Sequence, residues 1–137
     1  MKKVLIGWVV VFVVLMAMDF VIHGIILAKA YQETASLWRP DMESLMWVYQ
    51  VIGLIGSFFF SFIFSKGYEG KGIAEGARYG LYIGIWMSTG MAYGTYGMIA
   101  IPYSMAIQWF FYGIIEYVIG GIILALIFAK KATTPAS

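Results

Sequence analysis

Long apolar stretches separated by short polar segments dominate the pattern of this chain. Four of them cover about residues 4–28, 45–65, 79–100 and 107–129. A helix needs roughly 20 apolar residues to cross a bilayer, and each stretch meets that length. Because lipid offers the backbone no hydrogen-bond partners, such spans must be helical. The pattern predicts an all-α fold, an integral membrane four-helix bundle, forming a single transmembrane domain over residues 1–137.

Composition supports a membrane protein. Hydrophobic residues make up 62% of the chain and charged residues 12%, whereas soluble domains carry about 25% charged residues. The chain has no Cys, which excludes disulfides, thiolate metal sites and iron–sulfur clusters. Its net charge of +2 and its lack of a long basic block give no reason to expect nucleic-acid binding. We therefore expect the lipid bilayer as the main partner.

Basic residues in the short loops predict the orientation, because Lys and Arg accumulate on the cytoplasmic side. With the N-terminus inside, that side holds Lys2, Lys3, Lys66, Lys71, Arg78, Lys130 and Lys131. The outer side holds only Lys29 and Arg39. Both termini are therefore predicted to be cytoplasmic. Trp38 and Trp109 would then lie at the outer boundary, where we expect them to be interfacial anchors.

Small residues at helical spacing predict close contacts between helices. In the third predicted span, Gly80 and Gly84 are four residues apart, and so are Gly90 and Gly94. We expect both pairs to pack against a neighbouring helix. On this interpretation Gly94→Leu would disrupt the bundle, because the contact leaves no room for a branched side chain.

Ionisable residues inside the predicted spans are the candidate functional residues. An acid near the bilayer centre costs about 2.5–3.5 kcal/mol, so it usually pairs, stays neutral or faces a wet cavity. Asp19 and His23 are four apart on the first span and share a face toward the outside. Glu116 lies on the fourth span, flanked by Gly113 and Gly120 on one expected packing face. We predict that the acids and His23 meet in the outer half of the bundle.

Other polar side chains fall at a similar depth, namely Gln50, Tyr93 and Tyr112. Together with the ionisable residues they predict a polar pocket in the outer half. The cluster has three interpretations: hydrogen bonds that fix helix register, proton or ion handling, or a divalent metal held by Asp19, His23 and Glu116. Those ligand types suit a divalent ion, but their spacing matches no known signature. No other cofactor is predicted.

These observations favour a small, non-enzymatic membrane protein that packs with itself or with a larger membrane complex. Its acid–His cluster would be structural or would handle protons. The alternative is a proton- or ion-coupled small transporter or channel subunit that uses Glu116 and Asp19. The third hypothesis is a membrane enzyme with a metal at the cluster.

Four short runs resemble a family of small four-span bacterial membrane proteins of unknown function. They are DFVIHG at 19–24, SLWRP at 36–40, KGYEGK at 66–71 and RYG at 78–80. The likeness covers roughly residues 19 to 129. It implies a multi-pass protein of the bacterial inner membrane, and it implies no activity.

Overall fold

A computed structural model of the chain describes residues 1–129, which are helical apart from short connections and contain no strand. The predicted all-α fold class is therefore confirmed for this part of the chain. Lys130 and Lys131, which were assigned to the predicted cytoplasmic side, lie outside the described residues.

Six α-helices make up the described chain. They are α1 (Lys2–Val21), α2 (Ala28–Glu33), α3 (Met46–Gly67), α4 (Ile73–Ser88), α5 (Gly94–Met98) and α6 (Tyr103–Phe128). A π-helical turn, Ile22–Ile26, continues α1, and another, Thr89–Tyr93, joins α4 to α5. The loop between α2 and α3 contains two 3-10 turns, Ala35–Leu37 and Met42–Leu45.

Three helical segments are long and apolar enough to cross a membrane: Lys2–Ile26, Met42–Gly67 and Tyr103–Phe128. They correspond to the first, second and fourth predicted spans. The third predicted span, 79–100, is not among the three. There the α-helix gives way to the π-helical turn after Ser88, and the segment is rich in glycine and in hydroxyl-bearing side chains.

Side-chain hydrogen bonds to backbone carbonyls join α1 to α3. The Trp8 indole N–H donates to the Leu54 carbonyl at 2.8 Å, and the Ser61 hydroxyl donates to the Val4 carbonyl at 3.0 Å. Beside this seam lies an apolar core of Val11, Phe60, Phe64, Leu124 and Ala125. The two helices are therefore antiparallel, with the start of α1 beside the second half of α3.

The loop between α3 and α4 is held by a buried carboxylate. Glu75, which is only 6% exposed, accepts the backbone N–H groups of Glu69 and Lys71, both at 2.6 Å. Gly70 and Gly72 adopt φ angles of 79° and 77°, a conformation that favours glycine. This compact turn fixes the point at which α4 begins.

Glycines bring α4 and α6 into backbone contact. A Cβ added at Gly76 would overlap the carbonyl oxygen of Gly121, and one at Gly80 would overlap that of Tyr117. A Cβ at Gly84 would lie 3.1 Å from the Cα of Ile114. Because the backbones approach this closely, dispersion and weak Cα–H···O contacts act along the whole seam. The predicted packing of Gly80 and Gly84 is therefore confirmed.

The other predicted glycine contacts need correction. The positions where Cβ atoms would lie at Gly90 and Gly94 have no neighbour within 4 Å, so the expected steric effect of Gly94→Leu is wrong. Gly113 and Gly120 were expected to share one packing face, but they contact two different helices. Gly113 faces the Ser88 hydroxyl of α4, whereas Gly120 faces the Phe60 ring of α3.

We expect Gly80→Ala to destabilise the fold, and Gly94→Ala to leave it intact. The first change forces a methyl group into the Tyr117 carbonyl, at a cost of about 1–3 kcal/mol. The second adds a methyl group in open space at helical φ −62° and ψ −45°, where Ala stabilises by up to about 1 kcal/mol. Thermal unfolding of both variants in the same detergent measures the difference. Equal melting temperatures would contradict the close α4–α6 contact.

Candidate functional site

A local widening of the first helix positions Asp19 and His23. Asp19 lies in the last turn of α1, and His23 lies in the π-helical turn, whose end is marked by a bond from the Leu27 N–H to the Ile22 carbonyl at 2.8 Å. The His23 Nε2 is 3.7 Å from the Asp19 Oδ1. Single π turns are often found at functional sites.

Glu116 approaches the same aspartate from α6. The carboxyl groups of Asp19 and Glu116 lie within hydrogen-bonding reach of each other. The Glu116 Oε1 is buried and has no donor among the described residues if both acids are ionised. A proton on either carboxyl group supplies the missing donor and removes the repulsion between two like charges. We call these two residues the carboxyl pair; Asp19 lies beside His23, and Glu116 lies beside Asp19.

His23 links the carboxyl pair to residues 27–45, the connection to α3, which we call the outer loop because the sequence predicts it on the outer side. Its Nδ1 is 2.7 Å from the hydroxyl group of Tyr31 on α2. Burial raises the pKa of the Tyr31 phenol, so Tyr31 keeps its proton at neutral pH and can donate it in a hydrogen bond. The partners then assign the tautomer: Nδ1 accepts from Tyr31, and Nε2 carries hydrogen toward Asp19. Glu116, Asp19, His23 and Tyr31 therefore form a continuous polar chain.

Three aromatic rings cover the outer end of this chain. Tyr31, Trp38 and Trp109 have ring centroids 5.6–6.2 Å apart. The Trp109 ring also lies 6.1 Å from the imidazole of His23. We call these three rings the aromatic cover. It fills much of the space that the sequence assigned to a polar pocket, although the side chains of Asp19 and His23 stay 43% and 32% exposed.

A threonine holds the aromatic cover to the loop. The Trp38 indole N–H donates to the Thr34 hydroxyl at 3.0 Å, and that hydroxyl donates to the Ala30 carbonyl at 2.8 Å. Thr34 is itself buried. Sequence reasoning treated Trp38 and Trp109 as interfacial anchors and did not name Tyr31 or Thr34. The sequence feature that indicates this contact is the four-residue spacing of Thr34 and Trp38 in a loop that also carries Tyr31.

The remaining predicted site residues lie apart from the carboxyl pair. Gln50 is exposed on α3. The Tyr93 hydroxyl is 3.4 Å from the Tyr103 hydroxyl. Tyr112 is half-buried against an apolar cluster that includes Leu27, Met105 and Trp109. Within residues 1–129, no hydrogen bond connects Gln50, Tyr93 or Tyr112 to the carboxyl pair or to His23. The predicted six-residue cluster is therefore reduced to Asp19, His23 and Glu116, to which the structure adds Tyr31.

The arrangement does not favour the metal interpretation. In the described part of the chain, no three His, Asp or Glu side chains are placed so that they could hold a metal ion. Asp19 lies between His23 and Glu116. A metal site needs ligands that converge on one point. What this arrangement can do chemically is hold a proton at the carboxyl pair, with the His23 imidazole 3.7 Å from Asp19.

The outer loop carries an ion pair next to the aromatic cover. Arg39 donates to both carboxylate oxygens of Asp41, at 2.7 and 3.1 Å. The hydrogen bond from Arg39 lowers the pKa of Asp41. Both side chains are exposed to solvent, so the pair orients the loop and contributes little to stability.

No protein-family model, no curated protein and no solved structure matches this chain. The resemblance to small four-span bacterial proteins therefore stays a prediction, and the function must be inferred from the geometry of the site.

Proposed function

We propose that the chain is a four-span integral membrane protein of the bacterial inner membrane, with both termini in the cytoplasm. The helix directions support this topology. Lys3, at the start of α1, donates to the Phe128 carbonyl at the end of α6 at 2.8 Å, whereas His23, after α1, lies beside Trp109 near the start of α6. The helices α1 and α6 are therefore antiparallel.

The helix directions also support a fourth crossing. Because α3 runs back toward the end where α1 begins and α6 starts at the opposite end, we infer that the intervening segment returns across the bilayer. The intervening segment consists of α4 with 16 residues, the π-helical turn with 5 and α5 with 5. Together they are long enough to cross the roughly 30 Å hydrocarbon core. The glycine seam with α6 shields part of this segment from lipid.

Single cysteines test the topology in a chain that has no cysteine of its own. We expect Ser36→Cys and Ser104→Cys to react with a membrane-impermeant maleimide added outside intact cells. Ser137→Cys should react only after permeabilisation. If only three helices cross, Ser104→Cys would be protected and Ser137→Cys would be labelled from outside.

We further propose that the carboxyl pair binds and releases a proton at the outer side of the membrane. The observation that carries this proposal is the contact between Asp19 and Glu116. In a low-dielectric environment two adjacent carboxylates repel strongly, so the pair is stable while it shares one proton. His23 and Tyr31 lead from the pair toward the outer loop, which gives the proton a route to the external solution.

The inner half of the bundle argues against conduction of protons through the protein. Its core consists of apolar and aromatic side chains, with Val11, Phe60, Phe64, Leu124 and Ala125 at the centre. No described Asp, Glu or His belongs to that core. A proton that enters at the carboxyl pair therefore leaves on the same side, which fits a pH-responsive, non-enzymatic protein better than it fits the proton-coupled transporter.

We also propose that the protein associates with itself or packs within a larger membrane complex. Large apolar side chains on α1 and α3 stay exposed in the single chain, among them Val9, Val13, Ile52 and Ile55. In a bilayer such faces contact lipid or another membrane helix. A change at the carboxyl pair would reach a partner through the outer loop, because Tyr31 contacts His23 and also packs against Trp38 and Trp109.

The stability of the protein should depend on pH through the carboxyl pair. The folded chain holds a shared proton that the unfolded chain releases, so folding stability falls as pH rises and the pair ionises. We expect the melting temperature of the wild type in detergent to fall toward alkaline pH. Glu116→Gln should remove this fall, because the amide keeps a hydrogen bond to Asp19 without a titrating proton.

Glu33→Gln is the matched control, since Glu33 is an exposed acid on α2 that pairs only with exposed Lys29. It should keep the alkaline fall of the wild type. If the melting temperature of Glu116→Gln falls toward alkaline pH as much as that of the wild type, the carboxyl pair does not exchange a proton over the pH values measured. The pair is then a fixed structural contact.

A further inference from the structure

A basic cleft lies at the end of the bundle opposite the carboxyl pair. It occupies about 440 Å³ between the start of α1 and the ends of α3 and α6. Lys2, Lys3, Lys66 and Ser65 line its polar part, and Phe62 and Phe128 are among its apolar wall residues. None of the described residues that line it is Asp or Glu.

The lysines of the cleft differ from another basic residue of the same end, Lys71. Lys71 forms an ion pair with Glu69 in the α3–α4 loop. The Lys66 ammonium instead lies 4.8 Å from the centre of the Phe62 ring, with no carboxylate of the described chain within ion-pair distance. Its aromatic contact holds the charge at the rim of the cleft.

A third lysine serves the protein itself. Lys3 donates to the carbonyls of Phe128 and Ala129, at 2.8 and 3.0 Å, and so balances the negative end of the α6 dipole. Among the described residues this leaves Lys2 and Lys66 as uncompensated charges on the two sides of the cleft. Two positive charges on the sides of one cleft are groups that bind a phosphate, whereas the Ser65 hydroxyl donates to the Phe62 carbonyl and is not counted among them.

The position of the cleft identifies the kind of phosphate. It lies at the ends of three helices that are apolar enough to cross a membrane, where the hydrocarbon meets the headgroups. Lysines and apolar side chains line it together, which suits the charged headgroup and the apolar tails of a phospholipid molecule. Basic pockets between membrane helices on the cytoplasmic side bind anionic headgroups.

We propose that this cleft binds the phosphate of an anionic glycerophospholipid. Phosphatidylglycerol is the probe that matches it, with one negative charge on the phosphodiester and an apolar tail for the Phe62 and Phe128 wall. The proposal rests on the membrane location of the helices and not on proton binding by the carboxyl pair.

Native mass spectrometry of the full chain tests this assignment. The protein is released from a neutral detergent and titrated with phosphatidylglycerol or with phosphatidylcholine of the same chain length. We expect phosphatidylglycerol to bind more tightly. Lys66→Gln should weaken its binding about fivefold, the loss expected for one lysine near an anionic lipid. The control Lys71→Gln, on the same loop side but outside the cleft, should bind as the wild type does.

Two further measurements separate the sources of phosphate and the effects on folding. Inorganic phosphate at the same concentration should not displace the lipid; if it does, the lipid assignment is overturned. Equal binding of both lipids, or wild-type binding by Lys66→Gln, would overturn the site itself. If Lys66→Gln fails to fold, Lys2→Gln replaces it with the same expectation. The alkaline fall in melting temperature should persist in either variant, which keeps this test independent of the carboxyl pair.

Discussion

The backbone contact between α4 and α6 is the constraint on which the rest of the structure depends. Gly76 and Gly80 let α4 approach the Gly121 and Tyr117 carbonyls, and this fixes the rotation of α6 about its axis. Because Tyr117 and Gly121 face α4, the adjacent Glu116 is directed toward α1, where it meets Asp19. The site is thus positioned by glycines that have no polar group of their own to contribute.

The two ends of the bundle have different chemistry, and each is suited to its place. At the end of the bundle that carries α2, the aromatic cover lies over a row of polar side chains that ends at the carboxyl pair. At the other end, Lys3 compensates the α6 terminus, while Lys2 and Lys66 line a cleft whose apolar side chains include Phe62 and Phe128. An apolar core separates the two ends.

Periodicity and charge allowed much of the fold to be predicted, because long apolar runs have few other solutions. The proximity of Asp19, His23 and Glu116 followed from their matching depth on antiparallel helices. The spacing of the glycines did not reveal which of them pack against another helix. Gly80 and Gly94 lie in the same kind of pattern, yet only Gly80 faces a neighbouring helix. Tyr31 was missed because its role depends on the path of a loop, which local sequence does not determine.

Infrared spectroscopy of the protein in nanodiscs at neutral pH tests the central claim, a shared proton in the carboxyl pair, most directly. A protonated carboxyl group has a C=O stretching band that is distinct from the bands of a carboxylate, and it shifts in deuterated water. We predict such a band in the wild type and its loss in the double variant Asp19→Asn/Glu116→Gln, which removes both carboxyl groups of the pair. A wild-type spectrum with carboxylate bands only, or a protonated band that persists unchanged in the double variant, would contradict the shared proton.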